Sequence, residues 1–186
     1  MRLFGRGAFP VLMLLLLLVL PNQARAQRSH AFALGGGAAI PVGKLSDVQK
    51  TGYNAIVALA IGVPELPIGV RFDATYNNLL RATTAPSTGT TYSDFRVTGL
   101  LANLVYAFPG TSAKPYVVFG GGLYTSKADV ADSKSQNNFG FNAGLGVTFG
   151  FGPFATFLES RYHSISRNAE KGGVFQFVPI TFGLMF

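Results

Sequence analysis

Cysteine is absent from this chain, so no disulfide framework can support it. Tryptophan is absent too, and only 12% of the residues are charged. Histidine occurs twice, at His30 and His163, and no metal-ligand spacing surrounds either, so neither a metal site nor a cofactor is expected. No segment carries apolar residues at i, i+3, i+4 and i+7 over three turns, which leaves no amphipathic helix to build on. The longest apolar run, Val11 to Leu20, is 10 residues. A helix needs ~20 to cross a bilayer. Lysine and arginine are scattered rather than gathered in a stripe, which argues against nucleic acid as a partner.

The apolar run has a different reading. Arg2 and Arg6 precede it, Pro21 breaks it, and Ala24-Arg25-Ala26 supplies the small residues of a peptidase site. Basic flank, apolar core and small-residue site together predict a secretory signal peptide over 1–26, with the mature chain starting at Gln27. Removing it changes the charge. The whole chain has 15 Lys+Arg against 8 Asp+Glu, or +7; losing Arg2, Arg6 and Arg25 leaves 12 against 8, or +4. Part of the basic balance therefore belongs to targeting. The mature 160 residues (186 − 26) fit one domain, 27–186.

What the mature chain does contain is alternation. From Phe139 the odd positions read Phe, Phe, Ala, Leu, Val, Phe, Phe up to Phe151, while the even ones are Gly, Asn or Thr. Ile68, Val70, Phe72, Ala74 and Tyr76 likewise alternate with Gly69, Arg71, Asp73, Thr75 and Asn77. Such a period of two is that of a strand with unlike faces. Eight segments follow the pattern, near 31–42, 53–63, 68–79, 94–107, 115–126, 139–150, 153–165 and 174–186. Their spacers alternate in length. Short corners at 64–67, 108–114 and 151–153 contrast with longer polar stretches at 43–52, 80–93, 127–138 and 166–173. Short turns at one end, long loops at the other and an even strand number describe a bacterial transmembrane barrel. Strands of this length match the ~9–11 residues a tilted strand needs to cross. A soluble barrel or sandwich also alternates, but its outer face would carry Lys and Glu, and no strand here does so. The small face suits the tight interior of an eight-stranded barrel; the apolar face is assigned to lipid.

The chain ends "VFQFVPITFGLMF", with Val178, Ile180, Phe182, Leu184 and Phe186 at alternate positions. This end resembles the carboxy-terminal signature of bacterial outer-membrane barrels. Together with "FALGGGAAIPVGKLSD" (32–47) and "ESRYHSIS" (159–166), it resembles the small OmpA/OmpX-like outer-membrane β-barrel family. The resemblance covers the whole mature chain. It implies an eight-stranded antiparallel up-and-down transmembrane β-barrel in the bacterial outer membrane, preceded by a cleaved signal peptide. It also implies that Phe182, Leu184 and Phe186 form an assembly signal, read by the barrel-assembly machinery after passage through periplasmic chaperones. Outer-membrane lipid and lipopolysaccharide are the implied surroundings, and no periplasmic module is expected after Phe186.

Closure follows from physics, because backbone N–H and C=O groups cannot stay unpaired in hydrocarbon. The last strand should therefore pair with the first. Aromatic residues should gather at the interfaces: Tyr53, Tyr76, Tyr124 and Tyr162 toward the long loops, and Phe108, Phe149, Phe151, Phe154 and Phe186 toward the short turns.

Three groups of residues invite chemistry. Glu159, Arg161 and His163 share one parity, opposite Phe154, Leu158 and Tyr162, and so should face the lumen. Strand seven lies across an eight-stranded barrel from strand three, which presents Arg71 and Asp73 inward. Charges in a narrow interior must pair, so a lumen network of Arg71, Asp73, Glu159 and Arg161 is expected. Its pairing stays open: Asp73 to Arg161, Arg71 to Glu159, or all four together. His163 is expected at the outer rim as a hydrogen-bonding or partly hydrated member. Second, His163 with Ser164 and Ser166 loosely resembles the His-x-Ser arrangement of lipid A deacylases, but the run differs and the histidine faces inward, so no catalytic residues are assigned. Third, the "GGG" runs at 35–37 and 120–122 lack the Lys-Ser pair of a phosphate loop and mark curvature instead.

The functional classes that remain are a non-enzymatic envelope scaffold or surface-interaction protein with a plugged lumen, a minor pore or conduit for hydrophobic solutes, and a lipid A-modifying enzyme. The first is favoured. The loops are short and name no partner.

Overall fold

A computed structural model of the chain describes residues 30–82, 93–129, 133–167 and 173–186. The expected signal peptide and the central parts of the last three long loops lie outside the described residues. Eight strands follow one another: β1 (His30–Val42), β2 (Gln49–Gly62), β3 (Ile68–Arg81), β4 (Phe95–Ala107), β5 (Ala113–Ala128), β6 (Gln136–Phe151), β7 (Phe154–Ser166) and β8 (Val174–Met185). A single 3-10 turn, Gly43–Leu45, joins β1 to β2. Each strand pairs with its chain neighbour, and β8 returns to β1, so the sheet is a closed antiparallel barrel.

Closure extends to the last residue. The Phe186 N–H donates to the Phe32 carbonyl at 2.8 Å, and the Phe32 N–H donates to the Phe186 carbonyl at 3.1 Å. The row of paired residues Phe32, Leu59, Phe72, Ala102, Gly121, Phe141, Ser164 and Gln176 comes back to β1 at Val42. One circuit thus climbs from 32 to 42, a stagger of 10 residues, which tilts the strands and fixes which side chains meet across the lumen.

The alternation sorts side chains as expected. Leu100, Leu145, Leu123, Phe141 and Phe182 stand on the outside and are 59% to 70% exposed. Val97, Val118, Phe157, Ile165 and Phe177 fill the inside and are at most 3% exposed. Close packing of the wall explains several glycines. A side-chain carbon at Gly37 would meet the Ile180 carbonyl of β8, and one at Gly120 the Ala102 carbonyl of β4. Gly152, with φ of +60°, makes the two-residue corner between β6 and β7, where a left-handed residue without Cβ is least strained.

Three details differ from the sequence expectation. β2 starts at Gln49 rather than Tyr53, with a bulge between Lys50 and Tyr53. β5 and β6 each run 16 residues. Such extensions pair backbone groups beyond the apolar band, where no alternation is required to reveal them. Tyr124, expected at the lipid interface, is 0% exposed and points inward; it shares parity with Tyr116 and Val118, not with Leu123. Tyr53 and Tyr162 do face outward, as do Phe108, Phe149, Phe151, Phe154 and Phe186.

Candidate functional site

The lumen holds the concentration of chemistry. Its short-turn end is packed with Ala33, Ile56, Ala58 and Phe157. Its long-loop end is packed with Leu79, Val97, Leu101, Tyr124, Ile165, Phe175 and Phe177. Between these two apolar layers lie four charges, none more than 5% exposed: Arg71 and Asp73 from β3, Glu159 and Arg161 from β7.

Each charge contacts both charges of opposite sign. Arg71 makes a two-pronged pair with Glu159, Nη1 to Oε2 at 2.7 Å and Nη2 to Oε1 at 3.0 Å. Arg161 reaches both carboxylates, Nη1 to Asp73 Oδ2 at 2.7 Å and Nε to Glu159 Oε1 at 2.7 Å. Arg71 Nε also lies 3.0 Å from Asp73 Oδ1, but at an angle that makes this a charge contact rather than a directed hydrogen bond. The net charge of the cluster is zero. Charge-assisted bonds of this length are the strong ones, and full pairing is what makes buried charge tolerable.

Neutral residues complete the network. The Tyr116 hydroxyl donates to Glu159 Oε2 at 2.7 Å. Asn103 Nδ2 donates to Asp73 Oδ2 at 2.8 Å, and Asn142 Nδ2 to Asn103 Oδ1 at 2.9 Å. Asn54 spans Gly37 of β1, donating to the Ala38 carbonyl at 2.8 Å and the Ile180 carbonyl at 3.2 Å, while its Oδ1 accepts from Thr181 at 2.9 Å. Sequence reading missed Tyr116, Asn103 and Asn142. Their inward parity was visible beside Val118 and Leu101, but only the stagger shows that they reach the charges.

His163 corrects the expectation. It is hydrogen-bonded, one of the two states expected, but it is 1% exposed and its hydrogen bond goes to Tyr124 rather than to the four charges. Its Nδ1 lies 2.7 Å from the Tyr124 hydroxyl, and its ring stacks on Phe177 with centroids 4.9 Å apart. It thus belongs to the apolar layer above the cluster. Ser164 and Ser166 have the opposite parity on β7. A cavity of about 10 Å³ remains between Asn54, Thr75, Glu159, Arg161 and His163, at the lower limit for one water. Phe182, Leu184 and Phe186 stand on the outer wall at the end of the chain, 59%, 40% and 45% exposed.

A closed, staggered barrel with an outward apolar band and a filled lumen has relatives. The family model for the outer membrane protein beta-barrel domain matches residues 11–186. The chain belongs to that family. Its place is the bacterial outer membrane, and the band of exposed Leu, Phe, Val and Ile faces lipid. Neisserial surface protein A is similar in structure, with a TM-score of 0.63, 19% identity, and 84% of this chain matched to 96% of that one. The N-terminal β-barrel domain of Pseudomonas aeruginosa OprF gives 0.53 at 13% identity, covering 85% and 98%. The attachment invasion locus protein Ail of Yersinia pestis gives 0.50 at 16%, covering 84% and 97%. At these identities the likeness is one of fold. No curated protein sequence matches this chain. In an outer-membrane barrel with termini and short turns on one side, those ends face the periplasm and the long loops face outward.

Proposed function

We propose that this outer-membrane barrel is a non-enzymatic scaffold that holds its outward loops in place and passes no solute. The observation that carries this reading is the solid lumen: a neutral four-charge cluster closed above and below by apolar side chains. A pore needs a water-filled path, and the cavity beside the cluster, about 10 Å³, holds one water at most. Planar-bilayer recording of the refolded mature chain tests it. No reproducible step above leak is expected; a stable open state would replace the scaffold with a pore.

The geometry also weighs against lipid A hydrolysis. A serine nucleophile needs a base within hydrogen-bond reach, whereas His163 is sealed in the lumen against Tyr124 and Ser164 faces the other way. Incubation with lipopolysaccharide should release no 3-hydroxy acid, and its appearance by mass analysis would overturn this part. We further assign Phe182, Leu184 and Phe186 to recognition by the assembly machinery. Lipopolysaccharide is the proposed lipid partner of the outer wall.

A further inference from the structure

The strand that closes the barrel carries a gap in its ladder. Pairs between β7 and β8 run from Ala155–Met185 to Ser160–Ile180 and resume at His163–Phe177. Between them, in the same register, Arg161 stands opposite Pro179. The reciprocal bonds of Phe186 with Phe32 set the phase of β8. Its even residues turn their backbone N–H and C=O groups toward β1, and its odd residues turn theirs toward β7. Residue 179 is therefore the one whose N–H would reach the Arg161 carbonyl, and proline has none. Within a sheet, proline belongs at an edge, and a closed barrel has no edge. The neighbouring Ile180 faces lipid, so hydrocarbon supplies no donor from outside.

On the lumen side of this gap lies the cavity of about 10 Å³, lined by Arg161, Pro179 and Thr181, and by Thr75 and His163. The polar groups around it divide into two sets. Asn54 and Thr181 are already committed to each other and to the β1–β8 seam, through the Ala38 and Ile180 carbonyls. The Thr75 hydroxyl is buried and has no partner among the described residues. His163 has its Nδ1 occupied by the Tyr124 hydroxyl at 2.7 Å, which leaves Nε2 for the cavity. A buried hydroxyl and a buried carbonyl without partners are each costly. A space of one-water size beside both is where a water is worth most.

We propose that this cavity is a binding site for a single water molecule that belongs to the fold. The water donates to the Arg161 carbonyl and to Thr75 Oγ1 and accepts from His163 Nε2–H, three bonds in all, the usual number for an internal water. The Tyr124 hydroxyl donates to Nδ1, so the imidazole is neutral with its proton on Nε2. The water supplies the donor that Pro179 lacks and mends the ladder of the last strand from inside. The site rests on the filled lumen proposed above. That reading is judged by bilayer conductance and this one by a single long-lived water, so the two fail separately.

The test uses the refolded mature barrel in detergent micelles, with folding checked by heat-modifiable gel mobility. Oxygen-17 relaxation dispersion counts the waters held longer than the barrel takes to tumble, and imidazole nitrogen shifts report the His163 tautomer. Thr75→Val should hold one long-lived water fewer than the parent, and Thr75→Ser should match the parent. His163 should be neutral and protonated on Nε2. An unchanged count in folded Thr75→Val, or a His163 proton on Nδ1, would overturn the site. Should Thr75→Val fail to fold, the parent alone decides. Magnetisation should pass from water to the Thr75 methyl and the His163 ring protons, and its absence from both would overturn the site equally.

Discussion

Removing Arg71 alone should cost more than removing Arg71 together with Glu159. In Arg71→Met, Glu159 keeps Arg161 Nε at 2.7 Å and the Tyr116 hydroxyl at 2.7 Å, and Asp73 keeps Arg161 Nη1 at 2.7 Å. Each carboxylate is still bonded, but the cluster now carries −1 between two apolar layers that admit no counter-ion. Breaking a buried pair in this way typically costs ~3–5 kcal/mol. Glu159→Gln leaves +1 in the same place and should cost a similar amount. The double variant is neutral again. It retains the Asp73–Arg161 pair, with Asn103 and Asn142 still attached. Replacing a buried pair by neutral groups of similar volume is often nearly free, so the double should lose roughly 1–2 kcal/mol of packing. The coupling is then at least about 3 kcal/mol, far outside the ~0.5 kcal/mol scatter of independent sites. The assay is reversible urea unfolding in lipid vesicles. With no tryptophan in the chain, it is followed by far-UV circular dichroism and gel mobility. A parallel cycle on Asp73 and Arg161 reads the other cross-lumen pair. Additive losses in both cycles would mean that the charges do not interact, and a hydrated lumen would then be the better description.

Deleting Phe186 should reduce outer-membrane yield far more than any single loop substitution, because it removes both hydrogen bonds to Phe32 and the aromatic end; equal yields of truncated and full-length protein would refute this. Gly120→Val should prevent folding or cost at least about 3 kcal/mol, since its side chain would run into the Ala102 carbonyl and Asn103. Gly150→Ala, with nothing within 4 Å of the added carbon, should stay within about 0.5 kcal/mol of the parent by urea unfolding. Intact-mass measurement of the outer-membrane form should show a chain starting at Gln27, and retention of residues 1–26 would contradict the reading of the leader.

Strand number, facing and closure were legible because each follows from a local rule repeated many times. A period of two marks a strand, the apolar parity marks lipid, and hydrocarbon forbids an open edge. The same parity put Arg71, Asp73, Glu159 and Arg161 in the lumen without any knowledge of their partners. The pairing itself was not legible. It depends on the stagger of 10 residues, which sums the registers of eight strand pairs, and no single strand records that sum. The stagger brings Tyr116 of β5 onto Glu159, joins Asn103 and Asn142 to the cluster, and stacks His163 on Phe177 instead of leaving it at a wet rim. Tyr124 is a different case, since its parity with Tyr116 and Val118 points it inward and nearness to a loop does not decide its facing. Alternation is a property of neighbours along the chain, and so sequence carries it. Which residues meet across or around the barrel is a property of the closed circuit, and that exists only once the last strand has joined the first.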